Sequence, residues 1–467
     1  MSANPTVDGA GVPPPGPDPA AGSAQTTGGP AAGGGPAPPA GARADGGGGF
    51  ARFLRATEID TRLLGMIGAL VLIWIAFHLL SDGRFLTPRN LWNLSVQTSS
   101  VAIMSTGMVL VIVTRNIDLS VGSILGFAAM CMGVAQTRYL AEVIGADSEW
   151  IWLAALGVGV AVGAAIGALH GAVIAFLGVP AFIVTLGGLL VWRGAAWWVT
   201  SGQTVAPMDP TFRLMGGGPY GAIGATWSWV VGLVACAAIC LGLVLGRRNR
   251  KRFDFPLRPL WAEYTIAGVC CALVLGAVAI ANSYPWPRGI VRRHVAANPE
   301  LYAEGATPFI AHGIAIPVLI ALAVGVVMTF VATRTRFGRY VFAMGGNPEA
   351  AELAGINTRW VTTKIFILMG ALCGIAGAIS TARLNAATNA QGTLDELLVI
   401  AAAVIGGTSL GGGIGTIAGA MIGAVVMQSL QSGMVLLGVD APFQNVVVGV
   451  VLVLAVWLDG LYRRRSA

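Results

Sequence analysis

The sequence predicts an all-α polytopic membrane protein of about ten to twelve transmembrane helices, with glycine-rich packing faces and broken helices. Three observations lead there. Hydrophobic residues make up 55% of the 467 residues and charged ones only 10%, whereas soluble domains carry about 25% charge. Apolar runs recur along the chain, and a hydrocarbon core of about 30 Å needs roughly 20 residues of helix. Glycine, at 66 residues, lacks the every-third period of collagen, and small residues let membrane helices approach closely.

Taken in order, residues 1–55 are rich in Pro, Gly and Ala with few bulky apolar side chains, which predicts a disordered cytoplasmic tail without a recognisable signal peptide. Residues 56–467 are then one membrane domain. Spans are expected near 63–80, 96–113, 117–135, 151–177, 180–199, 226–246, 260–281, 310–332, 361–382, 395–408, 414–437 and 443–458. The 395–408 segment is short enough to be re-entrant. Gly159, Gly163, Gly167 and Gly171 form one small-residue stripe, and Gly411, Gly415, Gly419 and Gly423 a second.

The net charge of +7 is explained by loops rather than by nucleic-acid binding. Arg247, Arg248, Arg250, Lys251, Arg252, Arg258, Arg334, Arg336, Arg339, Arg359, Lys364 and Arg463 to Arg465 fall in alternate loops. The intervening loops hold about half as many cations, and the positive-inside rule then puts both termini in the cytoplasm. Arg52, Arg55 and Arg62 before the first span agree. The six cysteines all sit in apolar spans; Cys236 and Cys240 share a helix face without further ligands, so no metal site is expected.

Residues 334–364, RTRFGRYVFAMGGNPEAAELAGINTRWVTTK, form a short basic insert between two apolar spans. It is too short for a domain and reads as a helical turn on which a soluble partner docks. Around VTRNIDLSVGS (113–123), Asp118 and Ser120 are placed to cap the next helix, with Arg115 beside Asp118. Either this is a capped turn, or Asn116, Asp118 and Ser120 line a translocation path at a broken helix. In GVPAFIVTLGGLLVWRGAAWWVTSG (178–202), Thr185, Arg193 and Trp197 are candidates for the same path. Trp192, Trp197 and Trp198 read equally as an interfacial belt. GGTSLGGGIGT (406–416) is too glycine-rich for a regular helix, and its Thr408 and Ser409 are further candidates for the translocation path.

Walker A chemistry needs Gly-Lys-Ser/Thr, and the only lysines, Lys251 and Lys364, do not follow glycine. The chain therefore draws its energy from an ion gradient or another subunit. His78 and His170 are expected to be packing residues, and Asp395, Glu396 and Asp440 to face the outer aqueous side. No arrangement of catalytic side chains is recognisable, so no enzyme activity and no cofactor of its own is expected.

MVLVIVTRNIDLSVGS (108–123), PAFIVTLGGLLVWRG (180–194), FGRYVFAMGGNPEAAELAGINTRWV (337–361) and IAAAVIGGTSLGGGIGTIAGA (400–420) together resemble the sugar-importing ABC permeases of the ribose/xylose type. The extra apolar hairpin at 226–281, joined by RRNRKRF, and the closing LAVWLDG (454–460) are most similar to the xylose-type permease. The Pro/Gly tail and the long 282–311 loop depart from that pattern. The resemblance implies a permease in the bacterial cytoplasmic membrane that imports a monosaccharide, most simply D-xylose. It implies a second permease copy, a cytoplasmic ATPase subunit that holds ATP and Mg, and an extracytoplasmic sugar-binding protein. The coupling loop, at about 334–360, would present Gly345, Gly346, Asn347, Glu349, Ala350, Ala351 and Gly355 to the ATPase. Alternatives are another pentose or hexose, branched-chain amino acids, or a gradient-driven transporter, although carboxylates within the spans are scarce for ion coupling.

Overall fold

The computed structural model describes Glu58 and residues 61–145, 148–303 and 306–466. The tail assigned to 1–55, and the side chains of Arg463, Arg464 and Arg465, lie outside the described residues. Among the described residues ten helices are long and apolar enough to cross a membrane, which bears out the all-α polytopic class. The first seven are α1 (Thr61–Leu80), α2 (Pro88–Val113), α3 (Val121–Val134, continued by a π turn to Ile144), α4 (Ile151–Phe176), α5 (Ala181–Trp198), α6 (Gly224–Arg252) and α7 (Leu260–Asn282), and the other three are Ile316–Arg334, Thr358–Leu384 and Ile417–Leu436. After α8 (Arg288–Ala297) come α9 (Ile316–Arg334), α10 (Arg336–Gly346), α11 (Pro348–Leu353), α12 (Thr358–Leu384), α13 (Asp395–Ile405), α14 (Ile417–Leu436) and α15 (Ala441–Ser466).

The bundle has a foot end, which carries residues 335–357, and a far end. α2 lies at its centre, with every side chain from Val101 to Val113 buried. Packing of α4 against α12 shows why the sequence spaces glycines by four. A Cβ on Gly163 would lie 2.0 Å from the Gly370 carbonyl oxygen, and one on Gly370 the same distance from the Gly163 carbonyl. Nearer the foot, Thr363 Oγ1 donates to the Gly171 carbonyl at 3.3 Å. The two helices are antiparallel and in backbone contact, an approach that only glycine permits.

The second glycine stripe is corrected: α14 starts at Ile417, so Gly411 and Gly415 lie in the preceding loop and only Gly419 and Gly423 remain helical. Helix starts also move. α2 begins at Pro88, capped by Thr87, which accepts from the Asn90 N–H, rather than at 96; α9 begins at Ile316 rather than 310.

The 395–408 segment proves neither a full span nor a hairpin. α13 has 11 residues, about 16 Å of helix, half of what a bilayer needs. The other half is residues 385–394. Ala387 pairs with Val205 at the far end, while Gly392 reaches backbone contact with Gly122 at the start of α3. From there α13 descends beside α14 to the foot end.

α6 and α7 form a peripheral hairpin whose outer faces are apolar and exposed. Its far end is held by isolated bridges, Ala222 with Ala315, Gly224 with Gly313 and Pro285 with Ala311. Trp92 anchors this cap, its Nε1 donating to the Gly313 carbonyl at 2.8 Å, beside the stacked rings of Tyr284 and His312.

Because α4 and α12 touch through backbone, Gly163→Leu is expected to destabilise the purified chain by more than the about 1–3 kcal/mol of ordinary overpacking, read as a sharply lower thermal midpoint. Gly157→Leu, where a Cβ has open space, should leave it unchanged.

Candidate functional site

The foot is built from three successive caps. Thr335 Oγ1 accepts from the Gly338 N–H, Asn347 Oδ1 from Ala350 and Asn357 Oδ1 from Trp360, at 3.2, 3.0 and 3.1 Å. These caps satisfy orphan N–H groups at the starts of α10, α11 and α12, and Pro348 fits the first turn of α11. Gly355 takes a left-handed φ of 82° just after α11, while the Ile356 N–H donates to the Ala351 carbonyl at 3.1 Å; this is a helix-ending turn. Glu349 and Ala350 are exposed. Ala351 is buried against its own chain. Leu353, not singled out from the sequence, is 90% exposed at the tip.

The foot is bolted to two broken segments. The Val113 carbonyl, last in α2, occupies the place a Cβ of Gly345 would take, with the Gly413 nitrogen on its other side. The Gly413 N–H donates to that carbonyl at 3.0 Å. Arg115 corrects the sequence reading, for it makes no pair with Asp118. Its Nε donates to the Gly345 carbonyl at 3.2 Å and its Nη2 to the Gly346 carbonyl at 2.9 Å. Those carbonyls end α10 and have no helical partner, so a guanidinium suits them by hydrogen bonding and by the helix dipole.

Deeper in the bundle, Asp118 is buried. Ser120 does not cap α3 with its side chain. Instead its N–H and Oγ–H both donate to Asp118 Oδ1, at 2.9 and 2.5 Å. Ser120 Oγ also lies 3.3 Å from His170 Nδ1, and Trp192 Nε1 donates to His170 Nε2 at 2.9 Å. An indole N–H can only donate, so Nε2 accepts and the ring proton of the neutral imidazole sits on Nδ1, aimed at Ser120. Trp192 is thus part of the interior rather than a belt residue, and His170 is the hydrogen-bonded packing residue expected. Thr185 Oγ1 closes the turn on the Ile117 carbonyl at 3.2 Å. Asn116 stays local, its Nδ2 donating to the Thr114 carbonyl at 3.2 Å.

Arg193 holds the descending 385–394 segment: Nη1 donates to the carbonyls of Asn389 and Gln391 at 3.1 and 2.7 Å. Glu396 is buried beside Gly122, which corrects its assignment to the outer aqueous side. Asp395 instead lines a cavity. Trp197 is half exposed and Trp198 largely so, and neither reaches that cavity. Thr408 and Ser409 are buried, and their hydroxyls, like Ser123 Oγ and Glu396 Oε2, find no partner among the described residues.

The cavity, of 480 Å³, opens between the far halves of α2, α12 and α14 and the 385–394 segment. Its polar wall is mostly neutral: Asn90, Asn93, Gln97 and Ser100 from α2, Gln428, Gln431 and Ser432 from α14, and Ser380 and Gln391. Arg383 and Asp395 add one charge of each sign. Gln428 Nε2 donates to Gln97 Oε1 at 3.3 Å and to Gln431 Oε1 at 3.1 Å, and Ser432 Oγ donates to Asn90 Oδ1 at 3.3 Å. Amides carry donors and acceptors together, so this wall can meet hydroxyl groups in either sense without a net charge. Sequence reasoning missed it. The signal was the spacing of Asn90, Asn93, Gln97 and Ser100 on one helix face, half of which lay before the span start expected at 96.

A family profile described as "Branched-chain amino acid transport system / permease component" matches residues 90–456. The xylose transport system permease protein XylH of Escherichia coli is 34% identical over 422 residues, 88% of this chain and 94% of its own length. The protein of the same name from Haemophilus influenzae is 35% identical over 402 residues, covering 86% and 97%. The ribose import permease protein RbsC of Escherichia coli is 33% identical over 398 residues, covering 84% and 92%. No solved structure matches.

Asp118→Ala is expected to leave the Ser120 N–H without its acceptor and to destabilise the folded chain by about 1–3 kcal/mol. Asp118→Asn, which keeps an acceptor, should cost less; thermal unfolding followed by tryptophan fluorescence compares the two.

Proposed function

We propose, from the premise that this chain belongs to the family of branched-chain amino acid transport system permease components, that it is the membrane subunit of an ATP-driven importer carrying a monosaccharide, with D-xylose the favoured cargo. The observation that carries the reading is the cavity wall of neutral amides and hydroxyls. A pentose is a small uncharged polyol, and sites of about 300–1,000 Å³ hold such ligands by a few convergent polar groups. The names borne by the relatives at 33–35% identity support a sugar over other cargo.

In this reading the foot around Glu349, Ala350, Leu353 and Gly355 docks on a cytoplasmic ATPase subunit, which holds ATP and Mg. The far end receives sugar from an extracytoplasmic binding protein, and two copies of the chain flank the path. Both termini are cytoplasmic, consistent with α1 starting and α15 finishing at the foot end together with Arg334, Arg336, Arg339 and Arg359. Asp118, Ser120, Thr185 and Arg193 act as positioning residues that hold the broken segments.

One observation favours a second cargo. Arg383 and Asp395 face the same cavity, and opposite charges suit the zwitterion of an amino acid. ATP-driven uptake into vesicles holding the assembled transporter separates these readings. Labelled xylose should accumulate and leucine should not; accumulation of leucine alone would overturn the sugar reading. Leu353→Glu, at an exposed position, should leave the chain folded and lower uptake about tenfold or more through lost burial on the ATPase. Unchanged uptake in that variant would contradict the docking role.

A further inference from the structure

We infer that the turn of the α6–α7 hairpin is a binding site for an anionic phospholipid headgroup. Composition alone places cations here; the structure divides them into two sets. Arg250 and Arg258 are committed to Glu58, at 2.6 and 2.8 Å, and Arg247 to Glu263 at 3.0 Å. The two guanidiniums, chiefly by hydrogen bonding, hold the Glu58 carboxyl down at about 2, below the usual carboxylate range. That attachment is fully formed above pH 4.5 and lost only as pH falls toward 2.

The other set, Arg248, Lys251 and Arg252, is exposed and makes no ion pair with the described residues. All three lie with Asn249 and Leu245 on one shallow, solvent-open groove along a single face of α6, at i, i+3 and i+4 spacing. Three cations and an amide donor around one groove match the oxygens of a phosphate diester.

Two further features identify the phosphate as that of a lipid. Leu245 continues an exposed apolar face of α6 through Leu241 and Val244, so a headgroup in the groove leaves its acyl chains lying along the hairpin. Phe253 and Phe255, 65% and 62% exposed, lie in the turn just after the cations and offer apolar rings to a lipid. Arg252 stands over the Phe253 ring, 5.8 Å from its centroid, which pre-orients one cation. A hairpin that packs chiefly on its own partner helix gains from such a contact, because juxtamembrane cations are drawn to anionic lipid.

Native mass spectrometry of the full chain from mixed micelles of phosphatidylglycerol and phosphatidylcholine tests this. The wild type should retain phosphatidylglycerol about fivefold or more over phosphatidylcholine, a preference that weakens with salt. R248Q/K251Q/R252Q should fall to parity. R288Q/R292Q/R293Q, at the far end, and the charge-preserving R248K/R252K should both keep the preference, which separates a lost site from a misfolded chain. Parity in the wild type, or a preference that survives in R248Q/K251Q/R252Q, overturns the proposal. So does full displacement by inorganic phosphate, which would mark an ion site. Loss of the ATPase subunit from that variant without any lipid preference in the wild type would mark a protein-docking turn and equally overturn it.

Discussion

The structure depends on one backbone junction. At the foot end the last carbonyl of α2, Val113, sits between Gly345 and the glycine loop at Gly413, and there is no room for a side chain. Three parts of the chain remote in sequence meet within hydrogen-bonding distance. Arg115 locks the junction from outside by completing the end of α10. Because interiors are close-packed and not continuously deformable, a displacement of the foot must be passed to the turn at 114–120 or to the loop at 406–416.

Both of those segments lead to places where the bundle breaks helical regularity. The first runs to Asp118 and Ser120 and so to the start of α3; the second runs to α13 and back to the turn-rich stretch at 385–394. Irregular backbone within a membrane is tolerated only when it is buried in protein or lines a cavity. Here Arg193 supplies donors to the carbonyls of Asn389 and Gln391, and Gln391, so held, lines the amide cavity. A continuous chain of contacts therefore joins the exposed foot to the far-end cavity through the two broken segments, each with a named polar partner.

The fold class was legible because it follows from hydrophobic length, and the first glycine stripe because four-residue spacing has one physical meaning in a lipid-embedded helix. The foot was legible as a short basic insert between two apolar spans, but its successive caps at Thr335, Asn347 and Asn357 were not. What spacing could not supply was direction. Ala351 turns inward and Leu353 outward, though both sit on the same short helix. Arg115 looked like a partner of Asp118 three residues on, yet the left-handed backbone at Arg115, φ 62°, turns it toward α10. Gly411 and Gly415 kept the period of a helix they do not belong to. The cavity was missed through a boundary: two of its four polar α2 residues fell outside the span expected from hydropathy, since amides lower hydropathy where they line a path.

The central claim is that work done at the foot reaches the cavity through the Arg115 junction. The direct test is the ratio of sugar accumulated to ATP hydrolysed, measured in sealed vesicles holding the complete transporter with wild-type or Arg115→Gln chain. If the junction transmits the stroke, the variant should still hydrolyse ATP while the ratio falls about tenfold, the scale of losing two charge-assisted hydrogen bonds. An unchanged ratio in a folded variant would contradict the account.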